Sequence, residues 1–145
     1  MELKLLAVDP GELYVGIAEF VGWEVMNTSV LPPNDAVDMI WRGLENGHYD
    51  QVVMESWRTY TEALWTECLT VEVIGAVKHK ARQCGVPVKM QPNTIKRPAA
   101  ARMLSHGIEF PASLAAISTV RLRQHPTDAC MHGYWWLFEN PPEAA

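Results

Sequence analysis

The 145-residue chain has little cysteine and no long apolar run. Its three cysteines, Cys68, Cys84 and Cys130, lie far apart and form no C-x-x-C pair. Their number and spacing are not those of a zinc motif or a disulfide framework, so we predict reduced thiols in a cytosolic protein. No stretch of about 18 apolar residues is present, which predicts that the chain does not span a membrane. The first residues, with Glu2, Lys4 and a brief apolar stretch, lack the pattern of a signal peptide.

Basic residues are scarce in the first half of the chain. Residues 1–75 contain 3 Lys and Arg against 13 Asp and Glu, whereas residues 76–124 contain 9 Lys and Arg and one acid, Glu109. The overall charge of −5 therefore conceals a segment with a charge of +8. Such a segment is typical of a surface that binds a polyanion. The alternative is a solvated helix face that is balanced by acids folded against it.

Short apolar runs and alternating polar and apolar residues predict five strands. Three come first, at residues 3–9, 14–20 and 23–30, and the short links between them predict an antiparallel meander. The fourth strand, 51–55, and the fifth, 86–90, each follow a helix, which favours parallel pairing with right-handed crossovers. With no repeat or linker, the sequence predicts one α/β domain over residues 1–145: a mixed five-stranded sheet, three antiparallel strands then two parallel, flanked by helices.

Apolar residues spaced by three or four predict the helices. Asn34 is predicted to cap the first helix, which runs to about residue 46, and a second runs from about Thr61 to Gln83 and ends at Gly85. Pro126 is predicted to lie in the first turn of the last helix, where backbone N–H groups have no partner within the helix and proline's lack of one costs nothing. The helical segments predicted after the fifth strand cover about residues 94–104, 111–123 and 126–138.

Two of the predicted strands end in an acid, Asp9 and Glu55. A tight turn is one explanation for the first, because Pro10 fixes φ and Gly11 supplies a positive φ. If the two strands are parallel neighbours, however, their ends bring the two carboxylates together. Close carboxylates repel each other, and the commonest reason to keep such a pair is a divalent cation such as Mg²⁺, which prefers oxygen ligands.

A third acid lies in the segment RQHPTDA. His125 and Asp128 are three residues apart, so they lie on one side of a helix. Taken alone, an acid at this position is also explained by the helix dipole, and the histidine by an ordinary surface location.

Four segments together resemble the RuvC-like Holliday junction resolvases of the RNase H-like superfamily, in the compact form that bacteriophages carry. VDPGELYVG resembles the first-strand motif, with its further glycine at Gly16, and VVMES resembles the motif in which a glutamate closes the fourth strand. QPNTIKR resembles the P-x-x-(V/I)-K segment, here Pro92, Ile95 and Lys96. HPTDA resembles the final motif, in which two metal-binding residues open the last helix. The match runs in order over about residues 3–138.

Two departures from the family pattern bear on junction selectivity. The glycine-rich stretch T-G-x-G-x-A-x-K is missing, and RPAAARMLSHG stands in its place, with Arg97 and Arg102 as substitutes. Bacterial members place an aromatic wedge after the catalytic glutamate, where this chain reads SWRTY and offers Trp57 or Tyr60.

The resemblance implies a metal-dependent endonuclease that resolves Holliday junctions by paired phosphodiester hydrolysis, in DNA recombination and repair. Two Mg²⁺ ions, replaceable by Mn²⁺, would activate water and stabilise the leaving oxygen. Lys96 would contact the scissile phosphate or the nucleophilic water. The implied metal ligands, which together with Lys96 form the catalytic set, are Asp9, Glu55, His125 and Asp128. The predicted nucleic-acid contacts are Trp57, Arg58, Tyr60, Lys78, Lys80, Arg82, Lys96, Arg97 and Arg102.

A junction with two-fold symmetry implies a homodimer that makes paired nicks. The predicted interface is apolar surface on the long helix and on Trp135, Trp136 and Phe138, with core packing as the alternative. We expect a cytoplasmic protein without a membrane partner, located in the host bacterium if the source is viral.

Other functions remain open on this sequence. The related pre-ribosomal RNA processing family has a similar first motif, so flaps, RNA–DNA hybrids or structured RNA are alternative substrates. A sugar-kinase-like ATPase would need two such domains and a longer chain. A nucleic-acid-binding protein without catalysis would have no need for the complete set of acids.

Overall fold

The computed structural model describes residues 1–57 and 68–143. The strands in this part of the chain are β1 (Lys4–Asp9), β2 (Val15–Val21), β3 (Glu24–Leu31), β4 (Gln51–Glu55) and β5 (Val88–Gln91). The α-helices there are α1 (Pro33–Glu45), α2 (Leu69–Gln83), α3 (Lys96–Ser105) and α4 (Val120–Glu139), with short 3₁₀ helices at Asn93–Ile95 and Ala112–Ala116. No helix in these two ranges is long and apolar enough to cross a membrane.

The five strands form one mixed sheet in the order β3-β2-β1-β4-β5. β1 pairs antiparallel with β2, and β2 with β3, whereas β1 pairs parallel with β4, and β4 with β5. The predicted sheet is confirmed, and each strand lies within two residues of its predicted bounds. β1, β4 and β5 therefore all end at the same edge of the sheet, which we call the upper edge; the opposite edge is the lower edge.

Helices cover both faces of the sheet because the buried strands are apolar on both sides. Leu6 and Val8 of β1 pack into a cluster with residues of α1 and α2, including Ile40. Their neighbours Leu5 and Ala7 point to the other face and pack with residues of α3 and α4. These alternating side chains fix β1 at the centre of the fold, with one layer of helices on each side.

The first two helices differ from prediction at their starts. Helix α1 begins at Pro33 after Pro32, without a side-chain cap, so the predicted capping role of Asn34 is wrong. Helix α2 is helical from Leu69, and the predicted helix before residue 68 lies outside the described residues. The predicted stop at Gly85 is confirmed, since this glycine has a φ of 70° that other residues rarely adopt.

The last helix is longer than predicted. A single helix, α4, begins after Thr119, whose hydroxyl accepts a hydrogen bond from the N–H of Leu122 at 3.2 Å. Pro126 therefore lies inside the helix and not in its first turn, which corrects the prediction. His125 and Asp128 accordingly do not open the last helix, but lie in its second and third turns. Pro126 is buried, and this packing against the sheet compensates for the hydrogen bond that proline cannot make.

Candidate metal and nucleic-acid site

Three carboxylates meet at the upper edge of the sheet. Asp9 is the last residue of β1 and Glu55 the last of β4, and these strands are parallel neighbours. Asp128 comes from α4, which packs across the same strands. One oxygen from each of the three lies within 4.8 Å of the others. Strand pairing and helix packing thus bring together acids from three distant parts of the sequence.

Helix α4 reaches these acids because Gly16 has no side chain. Gly16 pairs with Asp9 across the antiparallel β1–β2 ladder. A Cβ on Gly16 would overlap the backbone carbonyl of His125 and lie 2.5 Å from the nitrogen of Pro126. The motif glycine therefore lets the helix backbone approach the strand and places His125 beside Asp9.

Lys96 connects two of the carboxylates. Its Nζ lies 2.9 Å from Asp128 Oδ2 and 3.2 Å from Glu55 Oε1. Burial lowers the pKa of Lys96, but the hydrogen bond with Asp128 and the charge of Glu55 raise it more, so the ammonium form is favoured. The lysine thereby neutralises part of the charge of the acidic cluster in the protein alone.

His125 contacts Asp9 and does not join the three carboxylates within their 4.8 Å spacing. Its Nδ1 lies 2.9 Å from Asp9 Oδ2. Burial raises the pKa of Asp9 to about 7, although the bond with His125 opposes this rise, and the charges of Glu55 and Asp128 add to it. The same bond with Asp9 raises the pKa of His125. The protonation state of each group therefore depends on that of the other.

A second histidine, His132, lies beside Glu55 and is not among the site residues predicted from the sequence. It is completely buried in α4, and its Nε2 lies 3.7 Å from Glu55 Oε2. Burial raises the pKa of Glu55, but the interactions with His132 and Asp9 and the charge of Lys96 together lower it to about 2. His132 follows Asp128 by four positions, so its helical spacing from the last motif was the signal available in the sequence.

The predicted nucleic-acid contacts divide between the two edges of the sheet. Trp57, Lys96 and Arg97 lie at the upper edge, and Arg97 is exposed in the first turn of α3. Trp57 is 38% exposed and lines a cleft of about 520 Å³ beside the carboxylates. Arg58 and Tyr60 lie outside the described residues. The other residues that line this cleft are Pro10, Glu55, Ser56, Pro92, Asn93 and Thr94.

Three predicted contacts, Lys78, Lys80 and Arg82, lie far from the acids. They belong to the second half of α2, a helix whose first turns line a groove with the start of α1 and which ends shortly before the lower end of β5. Lys80 forms an ion pair with Glu45, and its Nζ lies 4.8 Å from the ring centroid of Trp41. Lys80 therefore faces α1, whereas Lys78 and Arg82 are exposed on α2.

Arg102 lies at the end of α3 away from Lys96, and its guanidinium packs on aromatic rings. It is 4.7 Å from the ring centroid of Phe138 and 5.8 Å from that of Trp135. Trp135, Phe138 and Trp136 are partly buried against the core formed with α3 and α4. These residues therefore contribute to core packing, and the interface predicted on their remaining exposed surface stays a prediction.

The comparisons with known proteins agree with this geometry. No family model and no curated protein matches the sequence. Among solved structures, Thermus thermophilus RuvC in complex with a Holliday junction substrate has a TM-score of 0.65 and 16% identity, covering 97% of this chain and 99% of that chain. The fowlpox virus resolvase in complex with Holliday junction DNA has a TM-score of 0.66 at 11% identity, covering 95% and 99%. The yeast mitochondrial Holliday junction resolvase has a TM-score of 0.61 at 15%, covering 93% and 78%. The chain therefore has the RuvC-like form of the RNase H-like fold over nearly its whole length.

Proposed function

We propose that this protein is a metal-dependent endonuclease that cleaves branched DNA, and that it resolves four-way Holliday junctions in recombination and repair. The observation that carries the proposal is the convergence of Asp9, Glu55 and Asp128 on one edge of the sheet. Asp9 and Asp128 are both 5% exposed, and burying like charges together is costly without a cation. The likeness of the fold to junction resolvases supports the choice of substrate.

The donor set fits Mg²⁺, with Mn²⁺ as a substitute, because all three ligands offer carboxylate oxygens. Two such ions in this site would activate water and stabilise the leaving oxygen of the phosphodiester. Asp9 and Glu55 stand at strand ends and Asp128 on a packed helix, so the backbone fixes all three. His125 orients Asp9 through Nδ1, which leaves Nε2 as the nitrogen for its proposed role as a fourth ligand.

The chain's own cations complete the proposed site. Lys96 lies between two acids. When these carboxylates bind a cation instead of Lys96, its ammonium group is free to contact a phosphate oxygen. Farther from the acids, Arg97 would bind a backbone phosphate. Trp57 would stack on an unpaired base at the branch point. Paired nicks require two copies of the active site, so the proposal includes a homodimer, which sedimentation would detect as twice the 16.3 kDa chain mass.

The substrate is tested with labelled DNA of matched sequence. A four-way junction, a flap, an RNA–DNA hybrid and a linear duplex are incubated with and without Mg²⁺. We expect symmetric paired nicks in the junction and no cleavage with a chelator. Preferential cleavage of flap or hybrid would favour the alternative nuclease substrates, and no cleavage of any substrate with Mg²⁺ or Mn²⁺ would contradict the enzyme proposal.

Junction binding should weaken steeply with salt, and basic residues at the upper edge should account for this salt dependence. Lys96→Gln with Arg97→Gln should reduce the slope of log K against log salt by up to about 2, since each phosphate contact contributes about 0.9. The matched control, Lys78→Gln with Arg82→Gln, removes the same charge near the lower edge and should leave the slope unchanged. A flatter slope in the control alone would place the DNA on α2.

Binding of Mg²⁺ without DNA should release a proton below neutral pH. The pKa of Asp9 is raised to about 7, so the carboxyl is largely protonated at lower pH, whereas the cation binds its ionised form. The affinity for Mg²⁺ should therefore fall as the pH drops through about 7. Calorimetry in two buffers of different ionisation enthalpy counts the protons released. Asp9→Asn is the control, and equal heats in both buffers for the parent protein at acidic pH would contradict the expectation.

A further inference from the structure

We infer that His132 is a positioning residue that fixes the orientation of the Glu55 carboxylate for metal binding. This inference rests on the proposed function of the acidic cluster. His132 is 0% exposed and lies one turn after Asp128 on the same side of α4. Its ring stands between two partners, with Nε2 3.7 Å from Glu55 Oε2 and Nδ1 2.8 Å from Gln91 Oε1.

Two buried nitrogens without a hydrogen-bond partner belong to this ring and to the Gln91 amide that contacts it. They are His132 Nε2 and Gln91 Nε2, two of the three such side-chain nitrogens among the described residues. An unsatisfied buried polar group costs about 1–3 kcal/mol, so one on the ring and one on the neighbouring amide require an explanation. A 180° rotation of the Gln91 amide exchanges its oxygen and nitrogen, after which the amide donates to His132 Nδ1. The ring proton then resides on Nε2, which faces Glu55.

This arrangement assigns a partner to each oxygen of Glu55. Oε1 lies 3.2 Å from Lys96 Nζ, which also contacts Asp128, while Oε2 lies beside Nε2 of His132. At 3.7 Å the pair is just beyond hydrogen-bond distance, and a small rotation of the Glu55 side chain closes it. A donor on Oε2 holds Oε1 toward the site where the cation would bind.

The ring is itself held in place by the sheet. Gln91 is the last residue of β5 and pairs in register with Glu55 on β4. Its backbone carbonyl also accepts a hydrogen bond from the N–H of Ser56 at 2.7 Å. The relay from Gln91 through His132 to Glu55 is thus anchored at both ends by adjacent strands. Groups that orient metal ligands in this way typically change metal affinity by about 10–100-fold.

The inference is tested by measuring the Mn²⁺ affinity of the DNA-free protein together with thermal unfolding. His132→Leu keeps the ring's approximate volume but removes the donor, and should lose about 10–100-fold in affinity. His132→Gln offers an amide N–H near the position of Nε2 and should recover most of that loss. Cys130→Ala, which truncates another buried residue of α4, is the control and should keep the parent's affinity.

Equal affinity in His132→Leu and the parent would overturn the inference, as would equal losses in the Leu and Gln variants. If His132→Leu does not fold, Gln91→Met removes the other end of the relay, and unchanged affinity in that variant would overturn the inference as well. A parent that binds Mn²⁺ but cleaves no junction would contradict the proposed function alone. A parent that binds no cation would overturn both.

Discussion

Asp9→Asn should abolish junction cleavage while junction binding is retained. The amide has the shape of the carboxylate but lacks the charge that holds a cation. The loss of several kcal/mol of charge stabilisation corresponds to a fall of at least about 10³-fold in rate. Glu55→Gln and Asp128→Asn should behave alike, because the three acids form one cluster. Single-turnover cleavage and a binding titration without metal measure the two effects separately.

Although Asp9→Asn should abolish activity, it should not lower the stability of the metal-free protein above neutral pH. Burial raises the pKa of Asp9 to about 7, so the folded chain binds this proton more tightly than the unfolded chain. The contribution of Asp9 to stability is therefore present in acid and is lost as the pH rises toward about 7. Asp9→Asn should remove this loss, and above neutral pH the metal-free variant should be at least as stable as the parent.

Asp38→Asn, an exposed acid of α1, is the control for both measurements and should leave rate and stability unchanged. Full activity in Asp9→Asn would contradict the proposed mechanism. A loss of activity that is matched by an equal loss of junction binding or of folded protein would show that Asp9 acts through the fold and not through a cation.

The sheet and two of its acids were predictable from the sequence because local pattern and topology agree. Residues 3–9 and 51–55 are apolar runs that each end in a carboxylate, and a helix separates the second from the meander. The helical connection from β3 to β4 makes β4 parallel to β3 and therefore to β1, and the sheet order places β1 beside β4, so that Asp9 and Glu55 lie at one edge. The register of β1 and β4 confirms this arrangement.

The course of α4 was not predictable because tertiary packing overrides the local preference of proline. Pro126 favours a helix start, yet the segment before it is helical from Val120 onward. Buried contacts with the sheet from Pro126 to Leu137 stabilise the continuous helix. His132 lies within the predicted helix 126–138, but its contact with Glu55 depends on how α4 packs against β4, which the sequence alone does not specify.

The surface formed by the basic segment, residues 76–124, was also not predictable from the charges along the chain. Its residues count as one cluster in sequence, but β5 and the turn after it separate them in space. Lys80 near the lower edge is neutralised by Glu45, as the alternative of a balanced helix face expects. Lys96 at the upper edge is neutralised by the acids of the candidate site itself. The acids that fold against each basic residue, and not the sum of charges along the chain, decide which cations are available to DNA.

Gly16→Ala should destabilise the protein more than any surface substitution. Its Cβ would overlap the carbonyl of His125 and lie 2.5 Å from the nitrogen of Pro126, and both obstacles are backbone atoms of a packed helix. Because a backbone cannot rotate away as a side chain does, α4 must move from the sheet. We expect a loss of about 3 kcal/mol or more in the free energy of unfolding, at the upper end of overpacking effects. Urea denaturation measures this change.

Gly75→Ala is the matched control for this prediction. Gly75 is exposed in α2, and a Cβ there would meet nothing within 4 Å. The same methyl group should stabilise the protein by about 0.5–1 kcal/mol, because alanine loses less conformational entropy in a helix. Any Gly16→Ala protein that folds should also bind Mn²⁺ more weakly, since moving α4 carries Asp128 away from Asp9 and Glu55. Parental stability in Gly16→Ala would mean that α4 does not lie against β2, and the metal centre would then lose the contact that assembles it.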